Sequence, residues 1–191
     1  RGDHPQTSTG RGCFIGIDVG SLLHVVVIDK HDHVIRIAAV HQFEELSHIV
    51  AEYNASCVVI DAMPETRLAR QWAENYSAGK VLLCTFVRGL DAVNDFKIDL
   101  DARRITCDRT QSMDDSHAAI TQKKVTLPRD AASVPDFYDQ MRAPTRTFDV
   151  DRQRFIWHEG SAADHYRLAF NYAWLARNAK HKLGEYGAWV I

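Results

Sequence analysis

Residues 13–29, CFIGIDVGSLLHVVVID, form the most apolar stretch of the chain and carry a carboxylate, Asp18, in their middle. Ile15, Ile17 and Val19 alternate as one face of a strand over 13–19. Gly20-Ser21 supplies a turn, and 23–29 is a second strand. A short connection over Lys30-His31-Asp32 leads to a third strand over 32–40, so two antiparallel hairpins follow in succession. A carboxylate in such a strand is costly unless it is hydrogen-bonded, paired or bound to a cation. Asp18 therefore either accepts hydrogen bonds from the Val19-Gly20-Ser21 turn or belongs to a site.

Outward from this stretch the periodicity changes. Phe43, Leu46, Ile49, Val50 and Tyr53 make one apolar stripe, which predicts a helix over about 42–53. Residues 57–60 form a short buried strand ending at Asp61. Glu65–Tyr76 is helical, with Gly79 as its stop, and 80–87 is another strand. The order β-β-β-α-β-α-β predicts a mixed five-stranded sheet flanked by helices. This is the strand order of the RNase H-like fold, and it also opens each half of the actin-like ATPase fold. Residues 95–108 add a β-hairpin turning at Asp101-Ala102. A helix over 110–122 follows, then a loop-rich stretch with Pro128, Pro135 and Pro144 and a short helix near 136–142. A strand over 153–158 and a long helix over about 162–180 close the α/β domain. On the last helix Tyr166, Ala169, Phe170, Ala173, Trp174 and Arg177 share a face.

These elements divide the chain into a linker over 1–12, one domain over 13–180 and a tail over 181–191. The first residue is Arg, and we expect a piece of a longer protein. At 191 residues, with 46% apolar and 25% charged residues, the composition is that of a globular domain. A net charge of −2 gives no global attraction to nucleic acid, although 23 Lys and Arg leave room for a local basic face. No apolar run reaches the ~20 residues of a membrane helix, and the N-terminus lacks the apolar core of a signal peptide. The four cysteines, Cys13, Cys57, Cys84 and Cys107, contain no CxxC pair and are read as buried reduced thiols. The ten histidines form no zinc-spaced cluster.

Two further aspartates match Asp18 in kind. Asp61 ends the fourth strand, and Asp164 begins the last helix. In open α/β sheets sites form beyond the carboxyl ends of the strands. If the first and fourth strands are neighbours, Asp18 and Asp61 meet there and Asp164 can lean in. Crowded carboxylates repel, and a hard divalent cation removes that cost. Two ions would activate water and stabilise the leaving oxygen in phosphodiester cleavage. Taken singly, Asp61 is also a helix cap and Asp164 a partner for a helix dipole. Lys97, Arg103, Arg104, Arg109, Lys123 and Lys124 are candidates for contact with DNA phosphates. His165 is a candidate for orienting a phosphate or a ligand. Tyr172 and Trp174 are read as core.

FIGIDVG (14–20), VVIDA (58–62), ITCDRT (105–110) with Leu127-Pro128, and DHYRLAFNYAW (164–174) occur in that order. Together they resemble the C-terminal nuclease domain of the large terminase subunit of tailed bacteriophages, over roughly 13–178. The resemblance implies a metal-dependent endonuclease that cuts concatemeric viral DNA during packaging, with Asp18, Asp61 and Asp164 as catalytic and metal-binding residues. It implies Mg²⁺ or Mn²⁺, two ions, and location in the cytoplasm of an infected or lysogenic bacterium. It also implies double-stranded DNA, an N-terminal packaging ATPase domain, the portal protein and the small terminase subunit as partners, and no membrane. Some members carry two adjacent acids at the third position; here Ala163 precedes Asp164, and Glu159 is a candidate substitute. The chain has no GxxxxGK[ST] phosphate loop, so no ATP site is expected in it. The alternatives are a Holliday-junction resolvase or transposase-like nuclease of the same fold, and a non-catalytic DNA-binding or assembly module. A sugar-kinase-like or Hsp70-like ATPase would need two such halves.

Overall fold

A computed structural model of the chain describes residues 12–87, 96–151, 153–158 and 162–187. The lead-in over 1–11 and the candidate Glu159 lie outside the described residues. β1 (Cys13–Val19) pairs antiparallel with β2 (Leu23–Ile28), which pairs antiparallel with β3 (Val34–Val40). α1 (Phe43–Glu52) leads to β4 (Ala55–Asp61), which lies parallel beside β1. α2 (Thr66–Ala73) leads to β5 (Val81–Val87), parallel to β4. The anticipated hairpin, β6 (Phe96–Asp99) and β7 (Arg104–Asp108), extends this same sheet, with β7 parallel to β5. The result is a seven-stranded mixed sheet in the order β3-β2-β1-β4-β5-β7-β6. It is the expected RNase H-like α/β architecture with its hairpin built onto one edge.

The two faces follow from the period of two along each strand. Ile15, Ile17, Val19, Val25, Val27, Val58 and Ile60 point to one side and pack with α1 and α2 residues such as Leu46, Val50, Ala69 and Trp72. Phe14, Cys57, Val59, Val26 and Ile28 point to the other side and meet α5 (His165–Gly187). Gly16 is the point of closest approach. A Cβ built there would stand 2.0 Å from the Ala169 carbonyl oxygen and 2.1 Å from the Ala173 nitrogen. The glycine thus lets the helix backbone lie directly on the strand.

α3 (Arg109–Thr121) begins where β7 ends, and Asp108 caps it by accepting from the Thr110 and Gln111 amides at 2.8 and 3.2 Å. A short 3-10 turn over Ala131–Ser133 and α4 (Phe137–Arg142) occupy the loop-rich stretch. β8 (Thr145–Asp149) and β9 (Arg154–His158) form a separate antiparallel hairpin. It is fastened to α3 through Asp114, which accepts from Arg146 Nε at 2.8 Å and from Trp157 Nε1 at 2.8 Å.

Three sequence expectations need correction. β8 was not anticipated, because its first four residues are exposed and show no apolar alternation. α2 ends at Ala73, so Gly79, at φ +80°, serves the turn into β5 and is not the helix stop. α5 starts at His165 and runs to Gly187, past residue 180 and into the segment read as a tail. All four cysteines are buried thiols, as expected.

Candidate metal centre

β1, β4 and β7 run parallel, so Asp18, Asp61 and Asp108 all come to the same edge of the sheet. Ile17 pairs with Ile60 in the parallel register, which sets Asp18 beside Asp61. Alternation from Phe14 through Gly16 turns Asp18 toward α5, and from Cys57 through Val59 it turns Asp61 the same way. The two carboxylates expected to meet are therefore neighbours on one face.

Asp18 is 3% exposed. Its Oδ2 lies 2.9 Å from Nδ1 of His165, the first residue of α5. His24 stands directly opposite Asp18 in the antiparallel β1–β2 register. Its ring stacks on His165 at 4.7 Å between centroids and meets Tyr166 edge-on at 4.7 Å. One ligand atom from each of Asp18, His24 and His165 lies within 4.8 Å of the others. Asp61 and Asp164 are not in this group among the described residues.

Electrostatics separates these groups. Burial pushes the Asp61 carboxyl up to about 6, and the adjacent Asp18 charge adds to the rise. The Met63 amide, donating at 2.9 Å, and the Tyr172 hydroxyl oppose it. The Asp18 hydrogen bond holds His165 above the ordinary histidine value. Burial first, and the His165 charge second, hold His24 below it. The two stacked imidazoles are thus shifted in opposite directions, His165 by its carboxylate partner and His24 by burial.

Asp164 sits just before α5, and its main-chain oxygen accepts from Leu168. Its Oδ2 is 3.7 Å from Arg109 Nη2. Its charge also favours protonated Arg167, a fully buried guanidinium that desolvation lowers to about 10. Arg167 donates to the Met113 carbonyl at 3.1 Å and to Ser116 Oγ at 3.0 Å. His165, one residue beyond Asp164, hydrogen-bonds Asp18.

The candidate phosphate-binding cations separate by position. Arg109 lies at the carboxylate edge, where its charge is felt by Asp61. Lys97 is exposed on edge strand β6, across from Thr106. Arg103 and Arg104 sit at the start of β7, the opposite end of the sheet, with Arg104 3.5 Å from Asp99. Lys123 and Lys124 are exposed beyond the end of α3, near the His33–Thr126 bridge at that same far end. Only Arg109 and Lys97 of the six are near the carboxylate edge.

Sequence reasoning missed His24 and the Tyr172 hydroxyl. Both have a sequence signal in hindsight. Pairing Val19 with Leu23 around Gly20-Ser21-Leu22 puts His24 opposite Asp18, and Tyr172 falls two helical turns after His165. Tyr172 is in the core, as expected, yet its hydroxyl serves Asp61. Two clefts flank the edge. One, of about 540 Å³, is lined by His24, Tyr166, Ile37 and Pro135, and the other, of about 640 Å³, by Gly20, Ser21, Phe43 and Leu68.

Fold and site together define an RNase H-like α/β domain with an acidic and imidazole-bearing edge suited to a divalent ion. No family model matches the chain, and no curated protein matches it by sequence. Among solved structures it resembles the large terminase nuclease from thermophilic phage G20c at TM-score 0.57 and 13% identity, over 85% of this chain and 81% of that one. The same nuclease with bound magnesium matches at 0.58 and 14%, over 87% and 82%. A mutant nuclease domain of the large terminase subunit of bacterial virus Sf6, with manganese and beta-thujaplicinol, matches at 0.57 and 13%, over 87% and 88%. The chain therefore shares the fold of large terminase nuclease domains. No helix among the described residues is long and apolar enough to cross a membrane.

Proposed function

We propose that this chain is a divalent-metal-dependent endonuclease acting on double-stranded DNA. The observation that carries the reading is the buried Asp18 beside Asp61, on the terminase-nuclease fold, with Asp61 pushed up to about 6. Two carboxylates crowded in low dielectric are costly as anions, and a cation relieves the cost. The donor set fits Mg²⁺ or Mn²⁺. Asp18 and Asp61 would hold the ion or pair of ions, which when bound activates water and stabilises the leaving oxygen. The Met63 amide and the Tyr172 hydroxyl fix the Asp61 carboxylate in place. Asp164 orients Arg109, whose guanidinium would bind a phosphate oxygen at this edge. Lys97 would extend the contact along the backbone of the duplex.

On this reading the natural substrate is concatemeric viral DNA, cut during packaging in the cytoplasm of a bacterial host. On the same reading the partners are a packaging ATPase domain N-terminal to this one, the portal protein and the small terminase subunit. The test is plasmid cleavage with Mg²⁺ or Mn²⁺, against chelator and against Asp18→Asn and Asp61→Asn. Cleavage that needs the metal and fails in both variants is expected. Cleavage that persists in both variants refutes the assignment, and a preference for branched over linear duplex points instead to a resolvase-like enzyme.

A further inference from the structure

We propose that His24 and His165 are metal ligands beside Asp18, making a mixed nitrogen–oxygen centre that selects transition ions over Mg²⁺. The proposal rests on the nuclease reading only for the place of the metal, since its argument is the imidazoles themselves. His24 is 6% exposed, and its Nδ1 is fully buried without a hydrogen-bond partner. Buried polar atoms are almost always partnered, so an orphaned nitrogen on the imidazole that stands opposite Asp18 calls for an absent group. Its neighbours leave room for one. The ligand atoms of Asp18, His24 and His165 lie within 4.8 Å of each other, and swinging the two stacked rings apart would close that span around an ion. The rings of His165 and Tyr166 pack against His24, and the Leu22 backbone hydrogen-bonds its imidazole.

The ligand chemistry then sets the preference. Mg²⁺ demands oxygen donors and keeps its waters, whereas imidazole ligands favour first-row transition ions, Co²⁺ more than Mn²⁺. An all-carboxylate centre would show much less of this order.

The experiment titrates the chelator-stripped domain with CoCl₂, MnCl₂ and MgCl₂ by calorimetry. Wild type should bind Co²⁺ tighter than Mn²⁺, and Mn²⁺ at least about 10-fold tighter than Mg²⁺. His24→Phe keeps the ring packing but removes the ligand; it should lose about 10-fold in Co²⁺ affinity with Mg²⁺ affinity unchanged. Unchanged Co²⁺ affinity in His24→Phe overturns the proposal. A measurement on wild type alone guards against a variant that does not fold. The Co²⁺-loaded protein should show paramagnetically shifted imidazole N–H resonances from two histidines, and one or none overturns the proposal. Two shifted histidines without DNA cleavage would leave this centre standing and refute the nuclease. Metal-dependent cleavage without shifted histidines would do the reverse.

Discussion

Placing a methyl group at Gly16 tests whether α5 positions the centre. The new Cβ would stand 2.0 Å from the Ala169 oxygen and 2.1 Å from the Ala173 nitrogen. These atoms are the acceptor and donor that an α-helix joins at i and i+4, so no side chain can rotate away to make space. Ordinary carbon contacts begin near 3.4 Å, and the helix would have to retreat by about 1.4 Å. Overpacking of this kind costs about 3 kcal/mol or more when backbone must move. For a domain of this size that is a fall in Tm of about 6–12 °C. The same retreat would carry His165 out of hydrogen-bond reach of Asp18, now 2.9 Å away. Gly184 on the same helix is the control, since a Cβ there meets nothing within 4 Å. Gly184→Ala should be neutral or stabilising by about 0.5–1 kcal/mol. Thermal unfolding followed by circular dichroism in chelator, with Co²⁺ titration at 20 °C below the transition, reads both effects. A Gly16→Ala protein melting within about 2 °C of wild type, with unchanged Co²⁺ affinity, would refute the contact and the reasoning built on it.

Other expectations follow from single contacts. Asp61 rises from 3.8 to about 6, so the folded metal-free chain holds a proton between about pH 4 and 6 that the unfolded chain has released. Stability should therefore fall as pH rises through that window. Asp61→Asn should be more stable than wild type at pH 7 in chelator, by about 1–3 kcal/mol, with the gap closing near pH 4; urea denaturation showing wild type ahead at pH 7 rules this out. Asp114→Ala removes the acceptor shared by Arg146 and Trp157. It should make the β8–β9 hairpin sensitive to trypsin while lowering global stability by only about 1 kcal/mol, and unchanged digestion would show that the hairpin is held elsewhere. Arg167→Ala should cost about 2–4 kcal/mol, through a cavity and a stranded Met113 carbonyl. Arg167→Met, which fills the space, should cost less; a Met variant weaker than the Ala variant in denaturant would contradict this.

The sequence by itself determined the elements and the order of the first seven, because those signals are local. Period-two runs in β1 and period-3.6 stripes in α1 report which face is buried, and burial is what these segments are selected to do. It also pointed to Asp18 and Asp61, since a carboxylate closing an apolar strand stands out against its own neighbours. Tertiary structure alone decided who joins them. That His165 hydrogen-bonds Asp18 depends on how α5 is rotated against Gly16, where one residue is roughly 100° of helix. His24 enters through hairpin register, where a one-residue slip would turn it to the opposite face. β8 escaped notice because exposed strands carry no apolar alternation. The basic residues were chosen by charge, and charge has no local signature for which end of a sheet a residue occupies. Parallel pairing put Arg109 at the carboxylate edge and left Arg103 and Arg104 at the other end. Composition sets what a side chain can do, but direction and register, which are summed over long-range packing, set what it meets.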